Sequence, residues 1–155
     1  KLLKSAIIQS CKIKSKIISK DEKEMGLRKI LNFGHTFAHG FEGAKKFSKK
    51  LNHGEAVLLG MMMASELSYK KKLLSFNDLF LIKKHYIKLN LPMEIKKKFK
   101  KKEINRIIHF MKKDKKNLNN KINLILLKEI GKIVKPNSIN IGHKELKRFL
   151  ISNYI

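Results

Sequence analysis

A chain of 155 residues with 43% apolar residues has material for one core of its own, so a single domain is the expectation. The formal net charge of +25 raises phosphate-bearing partners, but the charge is almost all Lys, with Arg only at 28, 106 and 148, and it is spread among Ile and Asn along the whole chain. Trp is absent and few aromatics lie among the lysines, so there is no stacking platform for bases, and the run from Lys96 to Lys102 reads as a solvated face.

Nucleic acid is therefore not expected as a partner. The single Cys11 excludes an internal disulfide, fits a reducing, cytoplasmic setting and reads as a small core residue. The longest apolar run, Ala56 to Ala64, is too short to cross a bilayer, so no membrane association is expected. The sequence opens at Lys1, without a Met and directly in an amphipathic stretch, which suggests a segment of a longer polypeptide.

In chain order, apolar positions at 2, 3, 6, 7, 13, 17 and 18, with Ser10 admitted as a small member, follow a spacing of about 3.6 and predict a helix with one buried stripe over the first twenty residues. The charged block Asp21 to Gly26 predicts a loop. From Leu27 to Phe41 the pattern is helical again, interrupted at Gly34, and Gly43 to Asn52 is a lysine-rich connection. His53-Gly54-Glu55 opens a helix that is apolar on nearly every side through residue 68, which predicts a central core helix whose Met61-Met62-Met63 run is packing.

Amphipathic helices are expected at about 76–89, ended by Asn90-Leu91-Pro92, and at 103–113. Ile122 to Leu127 and Lys132 to Val134, divided by Gly131, predict a small hairpin, and a last helix starts near Gly142. The fold class is mainly α with a minor β element.

Chemistry concentrates between Arg28 and His53. Arg28, Asn32, His35 and His39 are spaced by four, three and four residues, so a continuous helix would present a cation, an amide and two imidazoles on one face. A purely structural helix would put apolar groups there. Two histidines four apart can share a metal ion, but Thr36 follows His35 where a zincin peptidase needs Glu. His53, at the start of the next helix, can return towards the pair. Spacing alone leaves open whether two of the three bind metal or all are ordinary hydrogen-bonded histidines. His85, His109 and His143 have no comparable neighbours and read as ordinary residues.

The stretch from Lys14 to Glu55, with Asp21-Glu22, Glu24, Gly26-Leu27-Arg28, Leu31-Asn32-Phe33-Gly34-His35-Thr36-Phe37, His39 and His53-Gly54-Glu55-Ala56-Val57, resembles 3-dehydroquinate synthase of the shikimate pathway, which leads to chorismate and the aromatic amino acids. Asp114-Lys115-Lys116, Leu124 to Leu127 and Ile130-Gly131-Lys132 extend the resemblance over most of the chain. Ala38 stands where a Gly is common in the family.

The resemblance implies that residues 1–155 are the C-terminal helical metal- and substrate-binding domain, and that the NAD-binding α/β domain is not in this chain. It implies a phosphate-eliminating lyase that converts 3-deoxy-D-arabino-heptulosonate 7-phosphate to 3-dehydroquinate with NAD and a divalent metal, zinc or cobalt. His35 and His53 match two metal ligands, and the Glu ligand belongs upstream of Lys1. Lys14, Arg28, Asn32, His39 and one of Lys115 and Lys116 match substrate-contacting positions. A homodimer is implied, and the fragment alone is expected to be inactive. The nearest rival is a related sugar-phosphate cyclase, such as a 2-deoxy-scyllo-inosose or valiolone-type synthase. A metal-dependent alcohol or glycerol dehydrogenase is more distant, and a non-catalytic basic helical binding module is the rival of another class.

Overall fold

The computed structural model describes residues 1–113, 121–136 and 138–154, and divides into two compact units, 1–32 and 33–155. Each is described by itself.

The first unit is one long helix, α1 (Leu2–Lys20), followed by a loop and a 3-10 turn over Leu27–Asn32 that packs back on it. Asp21 organises the loop. Its carboxylate accepts the backbone N–H groups of Met25 (2.8 Å), Gly26 (2.8 Å) and Arg28 (2.9 Å). These three bonds hold the Asp21 carboxyl below the usual carboxylate range, the one from Arg28 most strongly. The helix forms where periodicity places it, but the expected buried stripe does not: no residue of α1 is buried, and Leu2, Leu3, Ile7, Ile8 and Ile13 are exposed. Cys11 is exposed as well, not a core residue. The only element in this unit that packs on α1 is a six-residue turn, too small to cover a stripe five turns long.

The second unit carries α2 (His35–Ala44), α3 (His53–Lys70), α4 (Phe76–Lys88), α5 (Ile104–Lys112) and α6 (His143–Ser152). As expected, α3 is central: Ala56, Leu59, Gly60, Met62, Met63, Ala64 and Leu67 are all buried, and Met62 and Met63 serve as packing. A capping box starts it, in which Asn52 Oδ1 accepts the Glu55 N–H (2.9 Å) and a Glu55 carboxylate oxygen accepts the Asn52 N–H (3.2 Å). Helix α5 buries Ile104, Ile107, Ile108 and Met111, the i, i+3, i+4, i+7 stripe of an amphipathic helix, and it packs on α2.

The close approach of α2 to α3 depends on two glycines. Gly34, at φ +82°, caps α2 in the left-handed region. A Cβ on Gly60 would lie 2.3 Å from the Gly34 carbonyl oxygen, so only glycine lets the two backbones meet there. The interruption expected at Gly34 is there, with a left-handed break before α2, but the part ahead of it, Leu27–Asn32, is a 3-10 turn in place of an α-helix.

The β element is larger than one hairpin. Strands β2 (Leu127–Glu129) and β3 (Lys132–Ile133) form the expected antiparallel hairpin, while β1 (Ile122–Asn123) pairs instead with β4 (Asn140–Ile141), a partner the sequence did not suggest. Buried Ser68 ties this region to α3. Its hydroxyl donates to the Ala64 carbonyl (2.6 Å) and accepts the Leu127 N–H (3.0 Å). No helix among the described residues is long and apolar enough to cross a membrane.

Candidate metal and substrate site

Three histidines meet at the junction of α2 and α3. His35 is the first residue of α2, His39 lies one turn on, and His53 is the first residue of α3. The His35 ring stands 6.1 Å from that of His39 and 5.8 Å from that of His53, centroid to centroid, both edge-on. The Gly34–Gly60 contact brings the start of α2 onto α3, and the capping box fixes the first turn that carries His53.

The ring nitrogens have distinct surroundings. His53 Nδ1 lies 3.1 Å from a Glu42 carboxylate oxygen, and His35 Nδ1 lies 3.4 Å from the Phe33 carbonyl oxygen. Both neighbours only accept, so each Nδ1 is the donor, and each imidazole keeps Nε2 for a further interaction. Burial lowers the pKa of His35 from its ordinary value, and the adjacent His39 and His53 add to this against the Phe33 carbonyl and Glu42. Neutral imidazole is the form that binds metals.

Glu42 was not singled out from the sequence. The signal was present, since residues 35, 39 and 42 fall at i, i+4 and i+7 of one helix and share its face. Among the described residues, no group of three or more His, Cys, Asp or Glu side chains is arranged to hold a metal ion by itself. The pair of imidazoles fits a divalent metal as two ligands that need a third from elsewhere.

The other singled-out residues belong to the first unit. Lys14 is exposed on α1, beside a shallow groove lined by Cys11, Ser15, Ile18, Ser19 and Glu22. Arg28 donates from Nη1 to the Glu22 carbonyl (2.7 Å), and the Asn32 side-chain amide donates to Glu24 (2.6 Å). Glu24 itself sits at φ +55°, the left-handed region uncommon for a residue with a Cβ. Arg28 and Asn32 therefore do not share one helical face with His35 and His39; the break at Gly34 separates the two pairs. Lys115 and Lys116 lie outside the described residues. His85, His109 and His143 are exposed.

A model of the 3-dehydroquinate synthase C-terminal domain family matches residues 1–117. The chain belongs to this family. Its relatives include the 3-dehydroquinate synthases of Pelagibacter ubique, 55% identical over 129 residues, and of Endomicrobium trichonymphae, 42% identical over 129 residues. These alignments cover 83% of this chain but only 35% and 34% of the relatives, so the chain spans about a third of their length.

Among solved structures, the fold is similar to a 2-deoxy-scyllo-inosose synthase complexed with carbaglucose-6-phosphate, NAD+ and Co2+ (TM-score 0.70, 24% identity, 88% of this chain and 38% of that one). It is also similar to the 2-epi-5-epi-valiolone synthase of Streptomyces hygroscopicus with NAD+ and Zn2+ bound (TM-score 0.68, 23% identity, 90% and 36%). These likenesses confirm the helical fold of the family that the sequence suggested.

Proposed function

We propose that the chain is the metal- and substrate-binding part of a 3-dehydroquinate synthase, and that His35 and His53 are two of the three protein ligands of a divalent metal, zinc or cobalt. The observation that carries this reading is the 5.8 Å approach of those two imidazoles across the α2–α3 junction, each with Nδ1 turned to an acceptor, in a chain of this family. A metal held there would polarise a substrate hydroxyl or carbonyl oxygen and stabilise the negative charge that develops on it. NAD and the third ligand, a Glu, come in this reading from outside residues 1–155, so the chain alone is inactive.

Lys14, Arg28, Asn32 and His39, with one of Lys115 and Lys116, hold the carboxylate and phosphate of 3-deoxy-D-arabino-heptulosonate 7-phosphate. Their types suit that task. Arg28 spends one donor on the Glu22 carbonyl and has four more in its planar fork for a dianion. Asn32 is already held by Glu24 at one end, which reduces the entropy lost when substrate orders it. The substrate phosphate is a candidate acceptor for the proton removed in its own elimination, so this part of the enzyme needs no separate base. The setting is a cytoplasmic homodimer.

The test compares the complete enzyme with its His35→Ala and His53→Ala variants, measuring 3-dehydroquinate formation and bound metal. Each variant should lose both. Full activity and full metal in the two would refute the ligand assignment. Turnover of the heptulosonate phosphate beside glucose 6-phosphate and sedoheptulose 7-phosphate separates this reading from the related cyclases.

A further inference from the structure

We propose that Glu42 is a positioning residue for the metal centre, whose carboxylate takes a hydrogen bond from Nδ1–H of His53 and so fixes the tautomer that presents Nε2 to a divalent cation. This rests on reading His35 and His53 as ligands. The carboxylate oxygen is 3.1 Å from Nδ1, and the Glu42 side chain is only 15% exposed, while that of His53 is 61% exposed. His53 sits in the first turn of α3, where such an exposed ring would otherwise turn freely about χ1 and χ2.

A carboxylate can only accept, so the proton must sit on Nδ1. Free imidazole in a peptide prefers to carry it on Nε2, the tautomer that cannot ligate through that atom. Glu42 reverses the preference, fixes the plane of the ring and makes the far nitrogen more basic. Carboxylates behind metal-bound histidines act in this way generally.

Two further observations favour a specific role. Basic residues outnumber acidic ones by 37 to 12, yet this mostly buried carboxylate is directed at an imidazole. Glu42 also lies on the face of α2 that carries His35 and His39, so one helix supplies a ligand and the support for the ligand on the next helix.

Two measurements on the complete enzyme test this. The first is cobalt(II) affinity by competition with a chromophoric chelator, for wild type, Glu42→Gln, Glu42→Ala, His35→Ala and His53→Ala. The second is the His53 tautomer of metal-free protein at about pH 8.5, read from nitrogen-15 long-range correlation spectra.

Wild type should show Nδ1–H. Glu42→Ala should move the proton to Nε2 and weaken cobalt about 10- to 100-fold, the usual range for such a supporting group. Glu42→Gln keeps an acceptor oxygen without the charge, so it should keep the tautomer and weaken cobalt about tenfold, which decides the question if the Ala variant does not fold. Wild-type affinity in Glu42→Gln, or an unchanged tautomer and affinity in Glu42→Ala, would overturn the proposal. If His35→Ala and His53→Ala also kept wild-type affinity, the ligand assignment itself would be wrong. If they lost the metal while the Glu42 variants did not, only the positioning role would fail.

Discussion

Replacing Gly60 by Ala should destabilise the second unit strongly, whereas the same change at Gly54, six residues earlier in the same helix, should stabilise it slightly. At position 60 the new Cβ would sit 2.3 Å from the Gly34 carbonyl oxygen, 3.1 Å from the Ala38 nitrogen and 3.2 Å from the Gly34 carbonyl carbon. Carbon and oxygen rest at roughly 3.5 Å, so the Gly34 carbonyl must retreat by about 1 Å. It cannot move alone, because it accepts the Ala38 N–H (3.0 Å) that opens α2. Overpacking of this kind costs about 1–3 kcal/mol and a strained or lost hydrogen bond about 1 kcal/mol more. At Gly54 the nearest atom to a new Cβ is Asn52 Oδ1 at 3.6 Å, an ordinary contact, and Ala gains roughly 0.5–1 kcal/mol of helix propensity.

Thermal unfolding followed by circular dichroism measures both. A domain of this size loses roughly 3 °C per kcal/mol, so Gly60→Ala should melt about 6–12 °C below wild type and Gly54→Ala about 2–3 °C above it. Because the Gly34–Gly60 contact also sets where His35 stands relative to His53, Gly60→Ala should weaken cobalt binding as well. A Gly60→Ala protein within about 2 °C of wild type, with unchanged metal affinity, would refute the claim that this contact positions the imidazoles.

Ser68→Ala leaves the buried Leu127 N–H without its acceptor and should cost about 1–3 kcal/mol in chemical denaturation; a loss below about 0.5 kcal/mol would show that the tie to β2 is not needed. Asp21 has a folded-state pKa below its unfolded value, so its contribution is complete above about pH 4 and fades as pH falls through the folded value. Amide exchange at Met25, Gly26 and Arg28 should accelerate together in that acid range, and Asp21→Asn should remove the pH dependence; protection unchanged down to about pH 2 would contradict this. Tyr86, whose hydroxyl donates to the Leu58 carbonyl (2.9 Å), has its phenol pushed up to about 12 by burial. Its stabilising effect is therefore full below its ordinary value near 10 and is lost as pH rises towards about 12, which an alkaline spectrophotometric titration of Tyr86→Phe against wild type would detect.

Where sequence and structure agree, the signal was local. The His53-Gly54-Glu55 opening and apolar surround of α3, the stripe of α5 and the Asn90-Leu91-Pro92 stop all act within a few residues, and each element lies where they place it. The misses are tertiary. Strands of two residues carry no alternation, so nothing near Ile122 announces a partner at Ile141. The stripe on α1 reads as buried because periodicity reports which residues are apolar, not whether anything covers them. At the site, the spacing of His35 and His39 was visible, but the pairing of His53 with Glu42 spans two helices and depends on a glycine contact between them.

The position of the site on the two helices constrains what can bind there. His35 and His53 open α2 and α3, and each helix start carries unsatisfied N–H groups equivalent to about half a positive charge. Two such ends, in a chain of net charge +25, attract carboxylate or phosphate, but they oppose a bare divalent cation. Burial lowers the pKa of His35, yet an uncharged imidazole does not offset that field. Anionic groups must, and among the described residues Glu42 supplies one, 3.1 Å from His53. Two imidazoles backed by one carboxylate remain a weak metal site, so a third, anionic ligand is an electrostatic requirement of the proposed centre as much as a matter of coordination number.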